Sequence, residues 1–277
     1  MTKGDEMINL VGLGNTGSKI VTNLSEYSQY NVITIDSGKE IKEQKTPEDY
    51  EKKCPSFKKL FKPLKGETYL FLSASGNISG AALRILEQLK GAETNVVCIH
   101  SDPITLSPVG SLQQNLVSNV LQEYARSGLL RNLYLVDNSK IEDMMGEIEL
   151  DKYWQKINEV ISYIFHTVMC LRHTKPMLES AQQDEGIANI RTFAIMDEKE
   201  NIKKCYDLAH ITAETYLYSY SKERDGKNKN FLKDIKTKMA QQEGNTLRAF
   251  KIFENPTEDK TTYIEVCTHI LQYVENN

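Results

Sequence analysis

Five short apolar runs alternate with helical patterns through the first half of this 277-residue chain. The predicted strands are residues 7–11, 31–36, 69–72, 95–100 and 133–136, and the predicted helices are residues 18–28, 79–90 and 111–127. Strands that alternate with helices in this way form a parallel sheet with the helices packed on its faces. Because a ligand of such an α/β sheet binds beyond the carboxyl ends of the strands, the loops at those ends are the first place to look for a site.

Two glycine-containing loops follow predicted strands and precede predicted helices. The first loop, residues 12–17, reads Gly-Leu-Gly-Asn-Thr-Gly, and the second loop, residues 73–80, reads Ser-Ala-Ser-Gly-Asn-Ile-Ser-Gly. Backbone N–H groups at a helix amino terminus bind phosphate, and glycine lets the backbone approach it closely. The predicted phosphate contacts are Gly12, Gly14, Asn15 and Gly17 in the first loop, and Gly76, Asn77, Ser79 and Gly80 in the second.

Both loops also have a purely structural interpretation. The glycines of the first loop can serve close packing between a helix and a strand. In the second loop, Ser79 can be the N-cap of an ordinary helix, with the alanines that follow packed on the sheet. These alternatives stay open on the sequence alone.

Two asparagines are the candidates for reading a nucleotide base. Asn138 follows the strand-like residues 135–137, and Asn158 lies on a long helical pattern over residues 150–172. An amide side chain offers both a donor and an acceptor, which suits the edge of a base. Either asparagine alone is more typical of a turn or of a solvated helix position.

The first loop also satisfies the Gly-x-Gly-x-x-Gly fingerprint of dinucleotide-binding folds. Asp36 ends the next predicted strand, which is where such folds bind a ribose. An NAD-dependent oxidoreductase is therefore the alternative from the enzyme class. It lacks a convincing catalytic His or Lys constellation, and its fingerprint does not account for the second loop.

The second half of the chain begins with a helix that is apolar on more than one side. The pattern over residues 150–172 predicts a helix buried between two domains, with Pro176 preventing its continuation. Beyond it we predict helices at 199–219 and 231–241, a turn near 224–230, and strands at 191–196, 246–253 and 261–268. The expected organisation is an α/β nucleotide-binding-type domain over residues 1–149, a connecting helix over 150–175 and a smaller α/β domain over 176–277.

The composition excludes several classes of partner. Lys and Arg total 34 against 38 Asp and Glu, a net charge of −4, so the overall balance favours neither nucleic acid nor an anionic membrane. No apolar stretch is long enough to span a bilayer and no secretory signal is evident, which predicts a cytoplasmic protein. Residues 42–65 are lysine-rich with interspersed acids, and we interpret them as a solvated insertion.

The cysteine and histidine spacings give little support to a metal site. The five cysteines include no Cys-x-x-Cys pair, which fits a reducing compartment. His166, Cys170 and His173 share one face of the long helix at a spacing compatible with metal binding. No second cluster supplies the remaining ligands, so we predict no metal site from these side chains.

Taken in order, these segments resemble the tubulin/FtsZ superfamily of GTP-binding, filament-forming proteins. The first loop is similar to that family's first phosphate loop, and residues 74–82 line up with its Gly-Gly-Gly-Thr-Gly-(Thr/Ser)-Gly-Ala-Ala signature. Residues 135–138 look like the strand end whose Asn contacts the nucleotide, and residues 157–160 look like the start of the central helix whose Asn or Asp contacts guanine. Residues 101–121 resemble the ribose-facing loop and its helix, so the likeness extends over residues 5–172.

The resemblance implies GTP or GDP, with or without Mg²⁺, at the junction between subunits that associate head to tail. A heterologous contact of this kind propagates into a filament. The implied partners are further copies of the chain or a conventional tubulin/FtsZ-like relative. A regulatory or scaffold relative that binds no nucleotide is the second alternative.

The chain departs from the family pattern at both the phosphate and the catalytic positions. Ala74 and Ser75 stand where the signature has glycines, and Ile78 replaces a further glycine. The family's acidic Asn-x-Asp-x-x-(Asp/Glu) loop has no counterpart in residues 173–185. The candidates to replace its activating acid are Glu179, Asp184 and Glu185. We therefore expect slow or absent GTP hydrolysis.

Overall fold

The computed structural model describes residues 7–89, 93–180, 188–226, 228–241, 246–254 and 261–272. The strands are β1 Ile8–Leu13, β2 Tyr30–Ile35, β3 Glu67–Ser73, β4 Glu93–His100, β5 Asn132–Asp137, β6 Leu178–Glu179, β7 Ile190–Met196, β8 Ile202–Lys204, β9 Ala213–Tyr220, β10 Leu247–Glu254 and β11 Thr262–Thr268. The helices are α1 Gly14–Asn23, α2 Pro47–Lys52, α3 Lys58–Phe61, α4 Ala82–Gln88, α5 Pro108–Arg126, α6 Asn138–Met144, α7 Tyr153–Arg172, α8 Lys222–Asp225 and α9 Phe231–Gln241. Short 3₁₀ helices cover Asn77–Ala81, Pro103–Thr105 and Leu150–Lys152.

The described strands form one sheet whose first half is parallel, as the alternation of strands and helices predicts. The order is β2-β1-β3-β4-β5-β7-β11-β9-β10-β6, with β8 paired to β7. From β2 to β7 every neighbouring pair is parallel, whereas β11 is antiparallel to both β7 and β9. The five strands predicted in the first half are confirmed. The α/β fold class is confirmed as well.

Helices cover both faces of the parallel half. Helices α1 and α7 pack on one apolar cluster, and α4 and α5 pack on the other. Helices α1 and α7 lie side by side and run in the same direction. The Ser162 hydroxyl donates to the Ile20 carbonyl, while His166, one turn later, stacks on Tyr27 with ring centroids 3.7 Å apart. The amino-terminal turns of both helices therefore lie toward the same end of the molecule, the end at which the parallel strands finish.

The predicted buried helix over residues 150–172 is present as a 3₁₀ turn followed by α7. Its core side includes Ile161, Phe165 and Val168. At its last turn the Arg172 guanidinium donates to the Tyr134 hydroxyl of β5 at 2.5 Å and pairs with the Glu265 carboxylate of β11 at 3.4 Å. The helix thus links the parallel and antiparallel parts of the sheet, while the proposed domain boundaries at residues 149 and 175 stay a prediction. None of the helices described here is long and apolar enough to cross a membrane.

The prediction of a helix over residues 199–219 is wrong. This stretch contains β8 and β9, and β9 is hydrogen-bonded between β10 and β11. Tyr216 and Tyr218 belong to the apolar cluster on one face of the sheet, and Leu217 belongs to the cluster on the other. Aromatic side chains at every second position fit a pleated strand buried on both faces, and this tertiary context outweighs the helical spacing of the window.

The interpretation of residues 42–65 as a solvated insertion is also wrong in part. The segment folds into α2 and α3, and three of its aromatic side chains, Tyr50, Phe57 and Phe61, are buried in the core. The Thr46 hydroxyl caps α2 by accepting from the Asp49 N–H at 3.2 Å. The lysines remain on the solvent side, so the segment is an amphipathic cover for the sheet.

Candidate functional site

The topology brings the predicted site segments to one edge of the sheet. The first loop follows β1, the second follows β3, and Asn138 follows β5, with β4 between β3 and β5. Because these neighbouring strands are parallel, their carboxyl ends lie together. We call this edge the carboxyl edge; it is where an α/β sheet binds its ligand.

Close packing accounts for two of the glycines in the first loop. A Cβ on Gly12 would lie 2.6 Å from the Gly17 carbonyl oxygen, and a Cβ on Gly17 would lie 2.2 Å from the Phe71 carbonyl oxygen. The structural interpretation of these two glycines therefore holds with or without a ligand. Gly14 differs, because its φ of +70° is the left-handed conformation that favours glycine.

The polar side chains of the first loop and the start of α1 are of two kinds, some exposed to solvent and others hydrogen-bonded inside the protein. Asn15 is exposed at the start of α1. The buried Ser18 hydroxyl donates to the Asp36 carboxylate at 2.7 Å, and Asp36 also pairs with Lys39 at 3.5 Å. Asp36, the acid that the dinucleotide interpretation assigns to ribose binding, is thus already bonded to Ser18 of α1 and to Lys39 of the turn that follows β2. The predicted phosphate contacts of this loop stay predictions.

The second loop enters a 3₁₀ helix before α4 begins. Gly76 precedes that helix in an extended conformation, and its Cβ would meet nothing closer than 3.9 Å. Ser79 is not an exposed N-cap. It is buried, its hydroxyl donates to the Ala74 carbonyl at 3.1 Å, and it accepts from the Gln113 side chain at 3.0 Å. Ser79 therefore fixes the loop onto α5.

The turn leading into α2 covers the outer side of the second loop. The Asn77 side chain donates to the Lys45 carbonyl at 3.1 Å. A Cβ on Gly80 would lie 2.0 Å from the Pro47 carbonyl oxygen, so only glycine permits this approach. Of the four predicted contacts in this loop, Asn77 and Ser79 thus have hydrogen-bond partners inside the protein, and Gly80 lies against the Pro47 backbone.

Sequence reasoning missed a set of side chains that join the second loop to the end of β4. The Ser75 and Ser101 hydroxyl oxygens are 2.8 Å apart, and Ser73 lies 3.3 Å from Ser75. Gln114 of α5 accepts from the Ser101 N–H at 2.8 Å and donates to the Ser101 carbonyl at 3.2 Å. The two consecutive glutamines of α5, both buried, are the signal in the sequence that could have drawn attention to this contact.

The two candidate base-reading asparagines lie on different elements: Asn138 begins α6 directly after β5, and Asn158 lies in the first half of α7. Asp137 caps α6 by accepting from the Ser139 N–H at 2.9 Å, which places Asn138 at the first helical position. Both asparagines are buried, at 6% and 7% exposure. The Oδ1 atom of Asn138 has no hydrogen-bond partner among the described residues. A buried amide oxygen without a partner is costly unless a ligand or an ordered water supplies a donor.

Asn158 lies close to the first loop because of the way α7 packs. It is one turn before Ser162, whose hydroxyl contacts the Ile20 carbonyl of α1, and α1 and α7 run in the same direction. Asn158 therefore lies toward the amino-terminal turn of α1, which begins with the first loop. The fold thus brings one of the two candidate base-reading side chains near a candidate phosphate loop.

His100 is a second buried polar group that the sequence did not single out. It ends β4, is 3% exposed, and its Nε2 atom has no partner among the described residues. Its ring packs edge-on against Tyr206. Burial lowers the pKa of His100 to about 4 and raises that of Tyr206 to about 12, so both side chains are uncharged at neutral pH.

Glu179, the acidic candidate that the structure describes, does not join the loops of its own chain. Glu179 is exposed on β6, at the edge of the sheet opposite β2. Asp184 and Glu185 lie outside the described residues.

Nor do the histidines and cysteine of α7 form a metal site in the described part of the chain. His166 accepts or donates a 3.0 Å hydrogen bond with the Tyr30 hydroxyl, and Cys170 Sγ lies 3.6 Å from its ring. His173 faces away to Glu67, at 3.1 Å.

These features define an α/β protein whose candidate ligand site lies along the carboxyl edge of a parallel sheet. Two phosphate-type loops follow β1 and β3, Asn158 lies toward the first loop, and Asn138 follows β5. A scan of protein-family models finds no family that matches the chain, and a search of curated proteins finds no matching sequence. Solved structures match it over most of their length.

The FtsZ dimer from M. jannaschii matches with a TM-score of 0.69 and 13% identity, covering 96% of this chain and 89% of that chain. A GTPγS-form protofilament of Bacillus thuringiensis serovar israelensis TubZ gives a TM-score of 0.66 at 12% identity, covering 97% and 88%. The GTPγS-bound protofilament of CetZ2 from Haloferax volcanii gives 0.64 at 11%, covering 94% and 92%. The chain therefore has the tubulin/FtsZ fold. This likeness does not favour the oxidoreductase alternative.

Proposed function

We propose that this chain is a tubulin/FtsZ-like cytoskeletal protein that binds guanine nucleotide along its carboxyl edge and associates head to tail into filaments. The observation that carries the proposal is the buried Oδ1 of Asn138, which has no hydrogen-bond partner within the described ranges, at the edge that also holds both loops. An amide oxygen there accepts a hydrogen bond from the edge of a guanine, which carries N–H donors. The solved structures with the same fold include GTPγS protofilaments, which is consistent with this ligand.

Each part of the ligand has a counterpart along the edge. Asn138 and Asn158 would hold the base, and Asn15 with the N–H groups of the first loop would face the phosphates at the start of α1. Gly14, Gly76, Asn77 and Ser79 complete the predicted set, with Gly12, Gly17 and Gly80 shaping the backbone around it. Mg²⁺ would accompany the phosphates, neutralising part of their charge.

Exposed apolar side chains at both ends of α7 support the head-to-tail contact. Leu150 and Trp154, 90% and 52% exposed, precede or begin the helix, and Met177 and Leu178, 55% and 41% exposed, follow it. The helix has 20 residues and is about 30 Å long, so these patches lie at opposite ends of the helix. Apolar patches on opposite ends suit a heterologous contact, which repeats without closing.

Hydrolysis would be slow or absent. Glu179, the described acid among the three candidates, lies on the far edge strand and so does not reach the loops of its own chain. In the proposed filament an activating acid would have to come from the neighbouring subunit.

Calorimetric titration of nucleotide-stripped protein with GTP, GDP, ATP and NAD tests the ligand. We expect guanine-selective binding, weakened roughly tenfold by Asn138→Ala or Asn158→Ala because each removes a buried hydrogen bond. Asn119→Ala, an exposed asparagine on α5, is the matched control and should leave the affinity unchanged. Absence of binding up to millimolar nucleotide would leave a scaffold relative, and NAD binding lost in Asp36→Ala would restore the oxidoreductase.

Light scattering and electron microscopy of the same samples test the assembly. We expect filaments in the wild type and their loss in Leu150→Glu, which places a charge in the apolar contact. Tyr163→Glu, an exposed position midway along α7, is the control and should assemble normally. A monodisperse monomer at all concentrations would contradict the filament proposal.

A further inference from the structure

We infer that Ile78 blocks the phosphate end of the site, so that the chain binds GDP in preference to GTP. The inference rests on the proposed function, because it concerns the ligand of the same site.

The geometry places Ile78 between the two loops. A Cβ on Gly14 would lie 2.6 Å from the Cγ2 atom of Ile78, so the isoleucine side chain occupies the space beside the Gly14 backbone where a side chain would project. Gly14 belongs to the first loop and Ile78 to the second, and these loops follow the neighbouring strands β1 and β3. Ile78 therefore fills the gap between the two candidate phosphate loops.

Ile78 is held in this place by the core. It is half-buried and packs against the apolar cluster that includes residues of α4 and the aromatic side chains of α2 and α3. The loop on either side of it is tied down as well, by the Asn77 hydrogen bond to Lys45 and the buried Ser79 hydrogen bonds. A side chain fixed in this way does not move aside for a ligand without loss of packing.

The position of Ile78 along the carboxyl edge determines which part of a bound nucleotide it obstructs. Asn138, whose Oδ1 atom has no partner in the described part of the chain, lies at the β5 end, and the two loops lie at the β1 and β3 end. A nucleotide with its base at Asn138 extends its phosphates toward the loops, and its last phosphate comes nearest to Ile78. A branched apolar side chain there removes space and offers no hydrogen bond to a charged oxygen.

Titration of guanosine, GMP, GDP and GTP into the wild type, Ile78→Ala and Ile78→Gly tests the inference. In the wild type GDP should bind more tightly than GTP. In both variants the affinity for GTP relative to GDP should rise about tenfold, the size expected when charge-assisted hydrogen bonds to one phosphate become available. Leu83→Ala, a half-buried leucine in the next helix, is the control for lost packing and should leave the ratio unchanged.

The outcomes separate this inference from the proposed function. Wild-type binding of GTP as tight as or tighter than that of GDP, or an unchanged ratio in both Ile78 variants, overturns the inference while guanine binding stands. Failure of all four ligands with every variant overturns both. Binding of GTP by the Ile78 variants alone supports the block by Ile78 and contradicts nucleotide binding by the wild type.

Discussion

The two loops at the carboxyl edge are built in different ways. The first loop is determined by its own backbone: Gly12 and Gly17 have no room for a Cβ, and Gly14 has a positive φ. The second loop is determined by hydrogen bonds to segments elsewhere in the chain. Gln113 donates to Ser79, the Ser75 and Ser101 hydroxyls bond to each other, and Asn77 donates to the Lys45 carbonyl. A loop of the first kind can be recognised from its glycines, whereas a loop of the second kind depends on distant segments.

The difference also concerns what each loop can still do for a ligand. The first loop leaves Asn15 exposed at the start of a ten-residue helix, whereas the second uses Ser79 and Asn77 in internal hydrogen bonds and contributes Ile78. The first loop is thus the better candidate for phosphate binding. The second loop sets the limits of the space available.

The largest expected effect on the free energy of unfolding comes from a substitution in the first loop. Gly17→Ala places a Cβ 2.2 Å from the Phe71 carbonyl oxygen, a clash between two backbones that neither can relieve. We expect a loss of at least about 3 kcal/mol in the free energy of unfolding, measured by chemical denaturation. Gly76→Ala in the second loop is the matched control, since its Cβ would have open space, and it should change stability by less than about 1 kcal/mol. Equal effects of the two substitutions would contradict the contrast between the loops.

A pH titration tests His100, the buried histidine that ends β4 directly before Ser101, which contacts the second loop. The folded-state pKa of His100 is about 4, below the ordinary value of 6.5, because burial penalises the imidazolium. The unfolded chain therefore takes up a proton first, so the stability contribution of neutral His100 is present above pH 6.5 and is lost as the pH falls toward 4. We expect a loss of about 3 kcal/mol over this window.

His100→Leu is the comparison for the pH titration, because it cannot take up a proton in either state. The variant should show a shallower dependence of unfolding free energy on pH between 6.5 and 4. If the wild type and the variant have parallel pH profiles, His100 does not carry this dependence.

Gly80→Ala should act locally and less severely. Its Cβ would lie 2.0 Å from the Pro47 carbonyl oxygen, but α2 is a short helix at the surface and can shift. We expect a loss of about 1–2 kcal/mol, accompanied by faster hydrogen exchange in residues 45–52. Unchanged exchange in that segment would show that α2 does not depend on its contact with the second loop.

The smallest expected effect comes from Asn77→Ala. It removes one exposed hydrogen bond to the Lys45 carbonyl, which is worth at most about 1 kcal/mol. Asn15→Ala in the first loop, which has no such internal bond, should leave stability unchanged and weaken GDP binding instead. A reversal of these two results would mean that Asn77, and not Asn15, faces the ligand.

The same distinction explains how much the sequence could reveal. The parallel strands were predictable because they are continuous apolar runs, and α7 because its apolar residues recur at helical spacing. β9 was not predictable in this way. Its burial comes from β10 and β11, both later in the chain, and its alternating tyrosines lie within a window that also has helical spacing.

The site shows the same limit. Asn138 and Asn158 could be proposed from their places in the chain, and the fold brings Asn158 toward the first loop. The contact of Ile78 with Gly14 could not be proposed from the sequence, because it depends on how α2, α4 and α5 hold the second loop. The burial of Tyr50, Phe57 and Phe61 was obscured by the lysines between them, although three aromatic residues in one short segment were a usable signal.

The most direct test of the proposed site is an experimental structure of this chain with saturating GDP. We expect the guanine within hydrogen-bond distance of the Asn138 and Asn158 side chains, with the phosphates at the start of α1 and the Ile78 side chain beyond the last of them. GDP bound elsewhere on the molecule, or a carboxyl edge that is unchanged and empty at saturation, would contradict it.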